Sequence, residues 1–95
     1  MIKTFNRSTL SEEGRILVAF KAPWCQPCKS LEPTLETLSE EGYRVYDVNT
    51  DEEPELTVKY QIRSVPTMII FENGIQIEVI NGVKPKSKLI EALEN

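Results

Sequence analysis

The sequence predicts one α/β domain over residues 1–95, with a mixed central sheet of four to five strands and helices on both faces. Three observations lead to this fold class. Strand-like and helix-like segments follow in the order β-α-β-α-β-α-β-β-α, and crossover helices imply that part of the sheet is parallel. The continuous apolar run from Arg15 to Lys21 is typical of a strand buried on both faces. The dipeptide Asn73-Gly74 predicts a hairpin, which adds an antiparallel edge.

The chain opens with two short elements. Residues Ile2 to Phe5 predict an edge strand. Ser8 or Ser11, followed by an acidic pair, indicates a brief helical turn that ends near Gly14. Both short elements precede the buried strand, and the strand at Ile2 to Phe5 lies at the edge of the predicted sheet.

An amphipathic helix is predicted from about Pro27 to Glu41. Its apolar residues recur at helical spacing, and Gly42 ends it. Pro33 lies inside this helix and should kink it, because proline removes a backbone donor and clashes with the preceding turn. The apolar stripe consists of Leu31, Leu35 and Leu38.

The second half of the chain predicts three further strands and two helices. Alternating apolar residues indicate the strands, and Ile75, Ile77 and Val79 continue the alternation beyond the hairpin. The remaining elements are a strand at Tyr43 to Asn49, a short helix at Pro54 to Lys59, a strand at Thr67 to Phe71 and a closing helix at Pro85 to Leu93.

Composition excludes several classes of function. The net charge is −4 and there is no basic surplus or stripe, so direct binding of nucleic acid is not expected. The chain has no histidine, which excludes Ser-His-Asp and Cys-His catalysis and histidine-ligated metals. Two cysteines cannot by themselves supply a four-thiolate metal site. No apolar run is long enough for a signal peptide or a membrane helix, so we expect a cytoplasmic protein that does not enter membranes.

The two cysteines, Cys25 and Cys28, stand where the buried strand passes into the amphipathic helix. As a structural link the pair would be weak, because its ring is so short. Cys25 lies at or just before the helix N-terminus, where free backbone N–H groups favour a thiolate and lower the pKa of the thiol. Cys28, one turn further in, should be more buried. Pro27 suits the first turn of a helix. The pair is therefore predicted to act in thiol–disulfide chemistry.

At these positions the sequence closely resembles the thioredoxin family, and the resemblance covers nearly the whole chain. It implies a thioredoxin fold and a thiol–disulfide oxidoreductase in which Cys25 attacks a protein disulfide and Cys28 resolves the mixed disulfide. It also implies a monomer that binds no cofactor, carries a redox-active disulfide and is recycled by a thioredoxin reductase. The resemblance rests on Trp24-Cys25-Gln26-Pro27-Cys28-Lys29, Pro33, Ile62-Arg63-Ser64-Val65-Pro66-Thr67, Phe71-Glu72-Asn73-Gly74 and Gly82.

The resemblance further implies how substrates bind. The family's counterpart of Pro66 is a cis proline that faces the disulfide, and the backbone of the preceding residue, Val65, pairs with the substrate chain. A proline cannot donate a backbone hydrogen bond, so this edge stays open to an extended peptide. Trp24 and Gly82 are expected to complete an apolar substrate-binding surface.

Three departures from the family pattern limit what the resemblance implies. Gln26 stands where the family usually has glycine, and with Pro27 it should tune the redox potential. Ala19 replaces the family's buried aspartate, and Asp47 occupies the place of that aspartate's usual lysine partner. Our hypothesis is that Asp47 reaches the same pocket and helps Cys28 to lose its proton, directly or through water. The chain is also shorter than usual at its start, so the first strand and helix should be reduced.

Three other functions remain open at this point. A glutaredoxin-like reductase would use glutathione, although such enzymes typically place proline directly after the first cysteine. The Asn81-Gly82-Val83 segment also lacks the paired glycine and acidic cluster expected around glutathione. A thioredoxin-fold binding subunit of a larger enzyme would use the same apolar surface whatever its redox activity. A carrier of metal or of a cluster would bridge two chains through the cysteines.

Overall fold

The computed structural model describes residues 2–95 and has the predicted fold class, a five-stranded mixed sheet with helices on both faces. The elements are β1 Lys3–Thr4, the 3₁₀ turn Arg7–Ser11, β2 Arg15–Lys21, α1 Gln26–Glu40, β3 Val45–Asn49, α2 Pro54–Lys59, β4 Thr67–Glu72, β5 Ile75–Asn81 and α3 Lys86–Glu94. The strands lie in the order β1-β3-β2-β4-β5 in the sheet. Two helices and the 3₁₀ turn connect strands, and α3 follows the last strand.

The first strand and turn are short, as expected, but the turn begins differently from the prediction. Its N-cap is Asn6, not Ser8 or Ser11. The Asn6 side chain accepts the backbone N–H of Ser8 at 2.9 Å, and the Thr9 hydroxyl accepts that of Asn6 at 3.1 Å. This reciprocal capping box satisfies two backbone donors that a serine further along would leave open.

The antiparallel part of the sheet is larger than the hairpin alone. Strands β1, β3 and β2 are mutually parallel, whereas β4 is antiparallel to both β2 and β5. The connection through α1 is therefore a parallel crossover, and the connection through α2 is not. Because β2 is central, its residues Ile16–Phe20 are all buried. The predicted strand buried on both faces is confirmed.

Two apolar layers enclose the sheet. Helices α1 and α3 cover one face, where Leu31, Leu35 and Leu38 pack as predicted. The 3₁₀ turn and α2 cover the other face, where Phe71 stacks on Phe5 with ring centroids 6.1 Å apart. Helix α1 runs on through Pro33. Its buried stripe fixes α1 against β2 and β3, which places the N-terminus of the helix at the ends of these strands.

The outermost strand, β5, differs from the pattern of a half-buried strand. Its alternating apolar residues predicted the strand correctly, but Ile75, Ile77 and Val79 are exposed. Strand β5 contacts the core through Ile80, which lies opposite Met68. Ile77 and Val79 lie on the opposite face of β5 from Ile80, and at this edge of the sheet they stay in contact with water.

Candidate active site

The two cysteines lie at the start of α1, directly after β2. Cys25 is the N-cap residue of α1 and Cys28 lies in its first turn. A disulfide joins them, with Cα atoms 5.3 Å apart. The backbone N–H of Cys28 donates to Sγ of Cys25 across 3.1 Å. The helix N-terminus thus directs a free donor at this sulfur, an arrangement that stabilises a thiolate.

Burial does not separate the two cysteines in the disulfide form. Cys25 is 3% exposed and Cys28 is 2% exposed, so the predicted greater burial of Cys28 is not a useful distinction. Their neighbours differ instead. Sγ of Cys25 lies 3.6 Å from the carbonyl oxygen of Val65, whereas Cys28 lines a cavity on the β3 side.

An apolar surface surrounds Cys25. The Trp24 side chain is 70% exposed and its indole N–H donates to Asp51 across 3.3 Å. Val65 is half-buried and packs against Cys25 and Cys28. Gln26 and Pro27, the two residues between the cysteines, are both exposed. The structure therefore brings Val65 to the cysteine motif, next to Trp24, Gln26 and Pro27.

The loop before β4 is tied to the loop after β5. The Val65–Pro66 peptide bond is cis, as the resemblance implied. Pro66 itself is buried, and its carbonyl accepts the backbone N–H of Gly82 at 2.9 Å. Gly82 has φ +83°, in the left-handed region that favours glycine. A Cβ atom there would meet nothing within 4 Å, so the backbone conformation, not space, calls for glycine.

A cavity of about 330 Å³ adjoins Cys28 on the α1 face of the sheet. Asp47 lines it together with Cys28, so the structure brings together the two residues that the sequence hypothesis paired. Ala19 is buried and lies opposite Asp47 in the parallel register of β2 and β3. Three other charged residues line the cavity, Lys21, Lys29 and Glu32.

Sequence reasoning missed the roles of Lys21 and Glu32 at this cavity. The Lys21 ammonium lies 3.1 Å from an Asp47 carboxylate oxygen and also contacts the Glu32 carboxylate. Burial alone would lower the pKa of Lys21, but the hydrogen bonds to Glu32 and Asp47 outweigh it, so the pKa lies above its usual value. Two spacings could have revealed them: Lys21 is two residues after Ala19 on one strand face, and Glu32 is four residues after Cys28 on one helix face.

Relative to the family pattern, the charges beneath the cysteines have changed strands. The acid stands on β3 at Asp47, and the cation stands on β2 at Lys21, two residues closer to the cysteines than Ala19. Both still project to the α1 face. The chain therefore keeps an ion pair beside the second cysteine but builds it from different positions.

Residues 2–95 lack both a metal-binding cluster and a membrane-spanning helix. No group of three or more cysteine, aspartate or glutamate side chains is arranged so that it could hold a metal ion. Within the same residues, none of the helices combines the length and the apolar character needed to cross a membrane.

Comparison with known proteins identifies the family. The thioredoxin family model matches residues 2–95. The chain is 39% identical over 94 residues to thioredoxin 1 of Nostoc sp., covering 96% of this chain and 88% of that protein. It is 41% identical over 96 residues to thioredoxin of Rickettsia bellii, covering 98% and 91%.

Two further comparisons agree. The chain is 43% identical over 88 residues to the chloroplastic M-type thioredoxin of Spinacia oleracea, covering 90% of this chain and 49% of that protein. A solved structure of a mutant thioredoxin from Halobacterium salinarum superposes with a TM-score of 0.88 at 33% identity, covering 98% of this chain and 87% of that one. With its pair of cysteines at disulfide distance, the chain belongs to the thioredoxin family and is a thiol–disulfide oxidoreductase.

Proposed function

We propose that Cys25 is the attacking nucleophile toward protein disulfides and that Cys28 is the resolving cysteine. The observation that carries this assignment is the Cys28 backbone N–H directed at Sγ of Cys25 from the helix N-terminus. A donor there stabilises negative charge on Cys25 and raises the fraction of reactive thiolate. Cys28, in the first turn and beside the cavity, is within reach of the sulfur that it must attack.

The exchange has two steps. The Cys25 thiolate forms a bond to one sulfur of the target disulfide, and the other target sulfur leaves with the electron pair as a thiolate. Cys28 then loses its proton and attacks Sγ of Cys25. This step forms the Cys25–Cys28 disulfide, breaks the bond to the target and releases the second target thiolate. The target gains two electrons, and the cysteine pair loses them.

The substrate-binding surface in this proposal consists of Trp24, Val65, Pro66 and Gly82. Trp24 is exposed, whereas Val65 and Gly82 are half-buried. Val65 lies beside Cys25, so an extended segment of the target could pair with its backbone. Pro66 is buried and bonded to Gly82, so these two residues shape the surface by holding its loops together.

Gln26 and Pro27 are proposed to tune the redox potential. Both stand in the first turn of α1, where the backbone N–H of Cys28 donates to Sγ of Cys25. Their side chains are exposed, so a change at Gln26 alters the surroundings of the disulfide without disturbing the core. A comparison of the midpoint potentials of the wild type and Gln26→Gly tests this role.

Asp47 is proposed to help Cys28 lose its proton through water in their shared cavity. Water is a suitable carrier because charged residues line the cavity and its volume is large enough to hold water. In Asp47→Asn the exchange should be slower at neutral pH and approach the wild-type rate at about pH 9, where the thiol ionises unaided. An unchanged rate from about pH 6 to about pH 9 would remove Asp47 from the mechanism.

The proposed partners are protein substrates that contain a disulfide, and a thioredoxin reductase that returns electrons to the Cys25–Cys28 pair. The similarity to proteins named thioredoxin supports both. We further propose that residues 1–95 act as a single domain and a monomer in the cytoplasm, with no bound cofactor besides the redox-active disulfide. Binding to membranes or nucleic acid is not part of the proposal.

The deciding experiment is reduction of insulin disulfides under two electron supplies. One arm contains NADPH and a thioredoxin reductase, and the other contains glutathione and its reductase. We expect turnover in the first arm and its loss in Cys25→Ser and Cys28→Ser. Turnover only with glutathione would favour a glutaredoxin-like enzyme. A cellular role that survives both substitutions would favour a binding subunit.

A further inference from the structure

The cavity beside Cys28 holds one partly buried cation between two carboxylates. The Lys21 side chain is only 14% exposed, compared with 30% for Asp47 and 41% for Glu32. Its single ammonium group contacts both carboxylates. The Lys21 ammonium group is therefore the common counter-ion of two carboxylates. Each carboxylate is a base that can accept a proton.

Glu32 is placed on the Cys28 face of α1. It follows Cys28 by four residues, so the two side chains lie one above the other on the helix. Helical side chains lean toward the helix N-terminus, which carries the Glu32 carboxylate toward Cys28. Strands β2 and β3 supply Lys21 and Asp47 from below. All four side chains line the same cavity.

We propose that Glu32 and Asp47 together form the proton acceptor for Cys28, and that Lys21 is the positioning residue that holds both carboxylates at the cavity. This inference rests on the proposed role of Cys28 as the resolving cysteine. It extends the proposal for Asp47, because both carboxylates line the Cys28 cavity and share one counter-ion, so a proton carried by cavity water can pass to either.

The resolving step transfers one proton and exchanges one disulfide bond for another. The Cys28 thiol passes its proton through water to either carboxylate as its sulfur forms the bond to Sγ of Cys25. The bond from Cys25 to the target sulfur breaks, and the target leaves with the electron pair as a thiolate. The protonated carboxyl group then returns the proton to solvent or to the departing thiolate, and its ion pair with Lys21 is restored.

One more charged residue, Lys29, lines this cavity from α1. Lys29 is exposed, and among residues 2–95 it forms no ion pair. Its ammonium group is therefore solvated, and its effect on Cys28 is screened. The charged groups that face Cys28 from β2, α1 and β3 are thus Lys21, Lys29, Glu32 and Asp47.

The test is a single-turnover reaction of the reduced protein with an aryl disulfide, dithiobis-nitrobenzoate. Attack by Cys25 releases one coloured thiolate, and attack by Cys28 releases the second, so the second phase reports the resolving step. The second phase is measured against pH in the wild type, Glu32→Gln, Asp47→Asn and the double variant. Glu36→Gln is the matched control, because Glu36 is an exposed residue of the same helix.

We expect each single substitution to slow the second phase only a few-fold at neutral pH, because the other carboxylate still accepts the proton. The double variant should be slower by about a hundredfold. All rates should converge above the ordinary thiol pKa of about 8.5. The first phase should stay unchanged in all variants, and Glu36→Gln should match the wild type in both phases. In the Asp47→Asn background, Glu32→Asp should give a faster second phase than Glu32→Gln, because it keeps a carboxylate.

A double variant no slower than Asp47→Asn alone would overturn the inference and leave Asp47 as the sole acceptor. Slowing that persists equally at high pH would also overturn it, because damage to the structure, not proton transfer, would explain that result. If the wild type itself released no second thiolate, the proposed roles of the two cysteines would fail, and the inference with them. Release of the second thiolate by the wild type therefore distinguishes failure of the carboxylate inference from failure of the proposed cysteine roles.

Discussion

Cys25 and Cys28 are three residues apart, yet the structure gives them different surroundings. Cys25 faces the half-buried Val65 and the exposed Trp24, an apolar surface with little charge. Cys28 lines a charged cavity that contains Lys21 and Asp47. In the proposed mechanism, contact with substrate and transfer of the proton therefore fall to separate groups. The apolar surface retains the residues expected from the family, whereas the cavity is rebuilt, which shows that one can change while the other is kept.

The largest expected effect distinguishes the two cysteines directly. Cys28→Ser should lose turnover by about a thousandfold or more, because no thiol remains to resolve the mixed disulfide. The variant should accumulate a covalent adduct with its target through Cys25. Cys25→Ser should lose turnover as completely but form no such adduct. Non-reducing electrophoresis and mass spectrometry measure the adduct, and its appearance in Cys25→Ser instead would reverse the assigned roles.

The next effect concerns the rebuilt cavity. Ala19→Asp would place a buried carboxylate opposite Asp47 on the neighbouring strand, and Lys21 is already shared. We expect a loss of about 3–5 kcal/mol in the free energy of unfolding, measured with urea at neutral pH. The double variant Ala19→Asp/Asp47→Lys restores the family's arrangement of charges and should recover most of that loss.

Ala19→Asn is the control for this prediction. It adds polar bulk at the same buried site without a charge, so it should cost less than Ala19→Asp at neutral pH. The two should become similar at about pH 4, because burial beside Asp47 raises the pKa of the new carboxyl group above its ordinary value of about 3.9 and so favours its neutral form. Equal unfolding free energies for Ala19→Asp and the double variant would show that Asp47 does not occupy the place of the family's lysine.

The sequence predicts correctly those elements whose formation depends on residues close together in the chain. The buried strand β2 and helix α1 were predicted to within a residue, because apolar runs and helical spacing are local signals. The orientation of β4 relative to β2 was not predicted, since it depends on which side of β2 each strand joins. The exposure of Ile77 has the same origin: its neighbours are set by the edge position of β5.

The candidate site likewise has a part that could be predicted from sequence and a part that only the fold brings together. The cysteine motif is contiguous, so both cysteines and their neighbours could be found from sequence and resemblance. Lys21 and Glu32 meet only because the register of β2 and β3 and the placement of α1 bring them to one cavity. The spacing of Lys21 from Ala19 and of Glu32 from Cys28 gives the face on which each side chain lies, but it does not show that the two meet. Asp47 was found because the family pattern has a partner at its position, and Lys21 was missed because the pattern has none.

A smaller effect is expected on the apolar surface. Trp24→Ala should raise KM for a protein disulfide by about tenfold, since an exposed aromatic anchor contributes strongly to binding. The rate with a small disulfide should stay close to that of the wild type. Unfolding free energy should change by less than about 1 kcal/mol, because the side chain is 70% exposed. Val58→Ala, an exposed apolar residue on α2, is the matched control and should leave KM unchanged.

The smallest effect tests whether the two faces of β3 act separately. Tyr46 adjoins Asp47 in sequence but belongs to the opposite core layer, where its hydroxyl donates to Glu12. Burial, and then this hydrogen bond, raise the pKa of Tyr46 to about 12. A raised pKa in the folded protein means that this interaction stabilises the fold fully below the unfolded pKa of about 10, and that the stability is lost as pH rises toward the folded value.

Tyr46→Phe should therefore lower the free energy of unfolding by about 1 kcal/mol at neutral pH, and the difference from the wild type should narrow above about pH 10. Urea unfolding at several pH values measures this. The resolving step of the cysteine exchange should keep its wild-type pH profile, because the Tyr46 side chain does not line the Cys28 cavity. If Tyr46→Phe slowed that step as Asp47→Asn does, strain within β3 would account for both, and proton transfer to the cavity carboxylates would not.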